Sequence, residues 1–166
     1  MLWHPAYVGL GSNLDQPAMQ VRRAMAALAE LPQTRLIRRS NLYGSKPLGP
    51  VAQPDFVNAA AGLLTQLGAA DFFAELRALE HALGRGPAHQ RWGPRRIDLD
   101  LLMFAQLRSD GPELQLPHPG IVERNFVLYP LSEVAAELPV PGCGRVAELV
   151  ARVSFEGIWR LDSDTQ

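Results

Sequence analysis

Asp98 and Asp100 stand one residue apart in the run Ile97-Asp-Leu-Asp-Leu-Leu-Met-Phe104, alternating with Ile97, Leu99 and Leu101. An extended chain sends successive side chains to opposite faces, so a strand here points both carboxylates one way and the aliphatic residues the other. Two adjacent carboxylates are hard oxygen ligands of the kind Mg²⁺ takes, above all when substrate phosphates complete the coordination, and one or two metals could be bridged this way. Buried without cations, the same pair would be costly. The plainer alternative for Asp-x-Asp is a solvated strand face whose aspartates pair with Arg95 or Arg96.

Immediately before this pair lies Arg85-Gly-Pro-Ala-His-Gln-Arg-Trp-Gly-Pro-Arg-Arg96. Arg85, Arg91, Arg95 and Arg96 are set among Gly-Pro breaks, and guanidinium forks match phosphate oxygens bidentately. An arginine loop beside two carboxylates describes a phosphoryl-transfer site, where positioning and charge neutralisation supply most of the catalysis. A solvated basic loop is the competing reading. Trp92, in the same loop, is placed to stack on a flat ligand, whereas Phe126 by itself reads as core. His118 could donate to a phosphate oxygen but, with no second His or Cys beside it, makes no zinc site. Gly9-Leu-Gly11-Ser12-Asn13 lacks both the third glycine of a dinucleotide fingerprint and the Gly-Lys-Ser/Thr of a Walker A motif, and reads as a tight strand-to-helix turn.

The elements that must carry these residues follow from periodicity. Residues 6–11 read as a strand running into a helix over 17–31, whose Val21, Met25, Leu28 and Leu31 keep a 3.6-residue period up to Pro32. Strands are expected at 34–43 and 55–65. Between them Gly44 to Pro54, with three prolines and two glycines, reads as an exposed loop long enough to be functional. A second helix spans about 70–83, with Phe72, Phe73, Leu76, Leu79 and Leu83 on its buried stripe and Gly84 closing it. After the aspartate strand come a short strand over 113–119, a mostly helical stretch over 121–138 despite Pro130, and a short helix over 145–153. Strand, helix, strand, strand, helix, strand is the split βαβ order of ferredoxin-like folds, an α+β class with an antiparallel sheet flanked by helices.

Length and charge bound the alternatives. At 166 residues and 18.2 kDa the chain is expected to form a single domain, with a core over about 6–153 and a C-terminal tail over 154–166. No apolar run is long enough to span a membrane, and the N-terminus has no secretion-signal pattern, so a cytoplasmic location is expected. One cysteine, Cys143, excludes an internal disulfide, and nothing demands more than a monomer. The net charge of −1 argues against a nucleic-acid partner, as does the lack of an aromatic Lys/Arg-Gly-Phe/Tyr strand motif of the kind an RNA-binding ferredoxin-like module carries. The sum conceals an imbalance: fifteen arginines accompany a single lysine, and four of them fall within residues 85–96.

These pieces together resemble the 6-hydroxymethyl-7,8-dihydropterin pyrophosphokinases of folate synthesis. The matching stretches are Gly11-Ser-Asn-Leu14, Tyr43-x-x-x-Pro-Leu-Gly-Pro50, Gln53-Pro-Asp-Phe-x-Asn58, Glu80, Gly84-Arg85, Arg91-Trp-Gly-Pro-Arg95 with Asp98-Leu-Asp100, and Pro117-His118 followed by Arg124 and Phe126. They occur in the family's order over about residues 6–150. The resemblance implies a ferredoxin-like core and transfer of pyrophosphate from ATP to the pterin hydroxymethyl group, releasing AMP. It gives two Mg²⁺ ions, bound with ATP, to Asp98 and Asp100, and charge stabilisation to Arg85 and Arg95. Arg77, Glu80, Arg85, Arg91, Trp92, Leu101, His118 and Arg124 would meet ATP. The pterin would sit between Trp92 and Phe126, with Asn58 on its polar edge and Ser45, Pro47, Leu48, Phe56 and Asp98 completing its pocket. Ser45, Lys46 and Phe56 stand where Thr, Pro and Tyr are common, Arg77 replaces an uncharged amide residue, and Pro87 and Pro119 replace a basic and an aromatic residue. Transfer of a nucleotidyl group by the same apparatus is the alternative chemistry, distinguished by release of pyrophosphate instead of AMP.

Overall fold

The computed structural model describes residues 2–84 and 96–161. Its elements are β1 (His4–Ser12), α1 (Pro17–Leu28), β2 (Thr34–Arg39), β3 (Tyr43–Ser45), β4 (Phe56–Thr65), α2 (Ala69–Ala82), β5 (Asp98–Phe104), β6 (Ser109–Asp110) and β7 (Gln115–Leu116). A 3₁₀ turn (Pro119–Val122), α3 (Asn125–Ala135), β8 (Pro139–Val140), β9 (Gly144–Arg145), α4 (Val146–Ala151) and β10 (Ile158–Arg160) follow.

The main sheet runs β10-β3-β4-β1-β5, with β2 also paired to β4, and its ladders are antiparallel. β4 is long because it serves two partners: Ala61–Thr65 pair with β2 and Phe56–Asn58 with β3. The single strand expected over 34–43 is therefore broken, its far end continuing as β3 into a stretch read as loop. This leaves the order β5-β1-β4-β2/β3, the ferredoxin-like arrangement. β10 extends it beyond β3 from a stretch read as tail. Trp159 of β10 pairs with Gly44 and lays its indole over it, where even a Cβ would fall 2.3 Å from the ring.

Strand alternation divides the core. Val8, Leu10, Ala61, Leu63, Leu99 and Leu101 face α1 and α2, meeting Val21, Met25, Leu28, Phe72 and Leu76. On the opposite face Ala60 and Leu102 meet Leu128, Leu131 and Val134 of α3 and Val146 and Leu149 of α4. The expected helix over 121–138 resolves into the 3₁₀ turn and α3. Pro130 lies inside α3, so the Phe126 carbonyl lacks its usual main-chain donor there. Among the described residues no helix is long and apolar enough to cross a membrane.

Candidate active site

Asp98 and Asp100 are partly exposed on β5 while Leu99 and Leu101 are buried, so both carboxylates face the α3 side of the sheet. Across the β1–β5 ladder Gly11 pairs with Asp98 and Gly9 with Asp100; across the next ladder Gly11 pairs with Asn58. The row Asp98, Gly11, Asn58 thus crosses three strands with no side chain in its middle. That bare stretch floors a 320 Å³ cavity bounded by Asp98, Asp100, His118, Arg124 and Phe126 on one side and by Ser45, Leu48, Phe56 and Asn58 on the other. Gly9 and Gly11 therefore lie inside the strand expected over residues 6–11, and the turn expected from Gly9 to Asn13 begins only after Ser12. Glycines two apart on one face of a strand are the sequence signal for such a floor.

The walls are tied down by polar contacts. Asn58 donates to Ser45 Oγ at 2.8 Å, and both side chains are buried. Asn13 donates to Gln53 Oε1 at 2.8 Å and to the Pro54 carbonyl at 3.0 Å, holding the Pro-rich segment against the end of β1. Leu48 and Lys46 line the cavity, whereas Pro47 between them does not. On the opposite wall His118 Nδ1 accepts the Gly120 N–H at 3.0 Å, which leaves Nε2 as the nitrogen able to donate. Arg124 packs so closely on Gly120 that a Cβ there would meet its guanidinium stem at 2.8 Å, and it approaches the Phe126 ring at 6.0 Å.

The electrostatics follow from this placement. Burial and the neighbouring Asp98 charge push the Asp100 carboxyl up to about 7, Glu80 adds to the rise, and Arg77 and Arg124 oppose it. Burial, together with Arg124, lowers the His118 imidazole below its usual value. The cavity therefore pairs a proton-retaining carboxylate site with a cationic wall, an arrangement that favours a ligand bringing both metal and phosphate. Among the described residues no cluster of three or more His, Cys, Asp or Glu could hold a metal, so two carboxylates leave most coordination positions to water or phosphate oxygens.

Residues 7–136 match the family described as 7,8-dihydro-6-hydroxymethylpterin-pyrophosphokinase, HPPK. The chain belongs to the HPPK family. The 2-amino-4-hydroxy-6-hydroxymethyldihydropteridine pyrophosphokinase of Pseudomonas aeruginosa is 47% identical over 155 residues, covering 93% of this chain and 95% of that one. The enzyme of the same name from Haemophilus influenzae is 41% identical over 157 residues, covering 95% and 98%. Plasmodium falciparum HPPK-DHPS, solved with pteroate, superimposes with a TM-score of 0.70 at 14% identity over 91% of this chain. The chain spans 42% of that polypeptide, and the likeness is one of fold.

Of the positions that the HPPK resemblance marks, Asp98, Asp100, Ser45, Leu48, Phe56, Asn58, His118, Arg124 and Phe126 come together around the cavity. Arg77 and Glu80 lie outside its lining on α2, where both side chains bind the main chain of Leu99. The Leu101 side chain is buried on the α1–α2 face. Arg85, Arg91, Trp92 and Arg95 lie outside the described residues. Arg96 engages Asp15 through two bonds of 3.0 and 2.6 Å and packs beside Gly84, so it is committed to the β1–α1 connection. Gly11 and Gln53, which belong to the matching stretches without an assigned role, also line the cavity, as do Gly9, Lys46, Leu102 and Val127.

Proposed function

We propose that this cavity is where pyrophosphate passes from ATP to the hydroxymethyl group of 6-hydroxymethyl-7,8-dihydropterin, leaving AMP and the pterin diphosphate. Membership of the HPPK family makes the chain a diphosphokinase of folate biosynthesis, a transferase. The observation that supports the site is the shared row: two carboxylates and an amide-bearing side chain face one cavity across a glycine floor.

In this reading the Asn58 side of the cavity takes the pterin. Phe56, Leu48 and Phe126 supply apolar surface for a flat ring, Asn58 and Ser45 meet its polar edge, and Pro47 keeps the wall extended. The Asp98–Asp100 side takes the phosphates, with Arg124 and the His118 Nε2–H as donors to their oxygens. Asp98 and Asp100 would hold the two Mg²⁺ ions that the family resemblance implies, bound with the nucleotide. Metal bound there would neutralise the phosphate charge and lower the barrier to attack at the β-phosphorus. No described residue lining the cavity is an evident general base, so positioning and charge carry the catalysis. Arg85 and Arg95 as charge stabilisers, Arg91 on ATP and Trp92 opposite Phe126 rest on the family resemblance. So does an ATP contact for Leu101, which its buried side chain confines to the main chain. The chain acts as a cytoplasmic monomer on these two small molecules, without nucleic acid or membrane.

The test is incubation of the protein with ATP, Mg²⁺ and the reduced hydroxymethylpterin, with separation of the products. AMP and pterin diphosphate in equal amounts are expected. Release of pyrophosphate instead of AMP, or neither product at any metal concentration, overturns the reading.

A further inference from the structure

Among the described residues β5 is the terminal strand of the main sheet, so the chain segment bearing both cavity carboxylates has a ladder on one side only. Leu99 pairs with Leu10, and in an antiparallel ladder main-chain groups point alternately toward and away from the neighbour. The outward-pointing groups of Leu99 meet side chains instead of another strand. Its N–H donates to Glu80 Oε2 at 2.7 Å, and its carbonyl accepts from Arg77 Nη2. Glu80, only 2% exposed, forms an ion pair with Arg77 through its other oxygen, 3.2 Å from Nε, although the Nε–H is not aimed for a hydrogen bond. Arg77 is steadied in turn by the Phe73 ring, 4.8 Å from its guanidinium. One turn of α2 thus does for the free edge what a further strand would do.

We propose that Arg77 and Glu80 are positioning residues that hold the Asp98-Leu99-Asp100 main chain in the geometry metal binding requires. The proposal rests on the metal role given above to the two aspartates. It deepens that role by assigning Arg77 and Glu80 an action through Leu99, not a direct hold on nucleotide. Three features carry it: both main-chain groups of one residue are bound, the two side chains that bind them form an ion pair, and the bound residue lies between the carboxylates. An edge strand without this clamp would fray, and ligands displaced by a fraction of an ångström lose affinity out of proportion to the bonds removed.

The experiment compares Glu80→Ala, Glu80→Gln and Arg77→Met with the unaltered protein. Glutamine keeps an oxygen for the Leu99 N–H, while methionine keeps a stem on Phe73 but abandons the Leu99 carbonyl. Mn²⁺ affinity is measured by electron paramagnetic resonance in the presence of a non-hydrolysable ATP analogue. Affinity of the same analogue is measured without metal, and amide exchange at Leu99 is followed in the free protein. Glu80→Ala and Arg77→Met are expected to weaken Mn²⁺ by about ten-fold or more, as loss of a ligand-orienting contact does. Both should speed exchange at Leu99 while metal-free analogue affinity stays unchanged, and Glu80→Gln should largely restore both properties. Unchanged Mn²⁺ affinity in a folded variant overturns the proposal. So does a loss of analogue affinity that is equal with and without metal, which would mean direct nucleotide contact. If Glu80→Ala does not fold, Arg77→Met decides, since Arg77 is over a third exposed and its stem is retained. Exchange at Leu99 needs no turnover, so its result stands apart from the product assay that tests the proposed function.

Discussion

Gly11 faces Asp98 directly across the β1–β5 ladder. A Cβ on Gly11 would lie 3.5 Å from Asn58 Oδ1 and 3.9 Å from Phe56, inside the cavity and in ordinary contact with its wall. Gly11→Val should therefore spare the fold, which gains a β-branched residue in a strand, while filling the space proposed for the pterin. Pterin affinity, measured by fluorescence titration, should fall by about ten-fold or more with the melting temperature undiminished. Unchanged affinity would remove the glycine floor from the binding site.

Asp98→Ala should abolish turnover, by about three orders of magnitude, because charge neutralisation at the phosphates is lost with the metal. Far-UV circular dichroism should be unchanged, since Asp98 is only partly buried. Single-turnover assays at saturating Mg²⁺ check the loss, and near-normal rates would defeat the metal role.

Asp100 withdraws stability from the metal-free protein as pH rises toward neutrality. Its carboxyl is raised from 3.8 to about 7 by burial and by Asp98, so between those values the folded state holds the proton more tightly than the unfolded one. Stability of the metal-free protein should therefore fall as pH rises from about 4 toward 7 through this group. Asp100→Asn should remove that fall, raising stability at pH 8 by on the order of 1–3 kcal/mol, discounted for contact with cavity water, with no gain at pH 4. Urea unfolding at the two pH values measures the difference.

His118 acts on the acid side with the opposite sign. Burial and Arg124 lower its proton affinity in the folded state, and protonation would cost the Nδ1 bond from Gly120. The unfolded chain takes the proton first, so this group withdraws stability as pH falls through about 6.5. His118→Asn, whose Oδ1 can accept the same N–H, should flatten that loss while weakening ATP binding. Thermal melts from pH 7.5 to 5.5 and nucleotide titration provide the two readouts.

Asn58 joins the wall proposed for the pterin to β3. Asn58→Ala should cost about 1 kcal/mol through the lost bond to Ser45 Oγ, and should lower pterin affinity more than ATP affinity. Calorimetry with each substrate separates the two effects.

Much of the site was legible before any fold was drawn. Alternation in Ile97-Asp-Leu-Asp-Leu101 places two carboxylates on one face whatever the strand pairs with, because side-chain direction along a strand is a local property. The amphipathic periods of α1 and α2 were equally local, and Val21, Met25, Leu28, Phe72 and Leu76 are buried as their spacing implies. A Gly-x-Gly can serve a turn or a strand, and the pairing of β1 with both β4 and β5 is what keeps Gly9 and Gly11 in the strand and moves the turn beyond Ser12. β3 and β10 escaped notice for a similar reason. Each is three residues long, too short to show a period; β3 is a strand because β4 and β10 flank it, and β10 because β3 lies beside it.

The sequence by itself determined the chemistry available: carboxylates at strand spacing, an arginine-rich segment next to them, and an order of elements that folds into an antiparallel α+β sheet. Tertiary structure decided what each group does. It set Gly11 between Asp98 and Asn58, though 87 and 47 residues of chain separate it from them in sequence. It committed Arg96 to Asp15. It also turned Arg77 and Glu80 from the cavity to the edge of β5. Side-chain periodicity is written along the chain, but the partner of an edge strand, and hence the use of a charged residue near it, depends on which element is brought alongside.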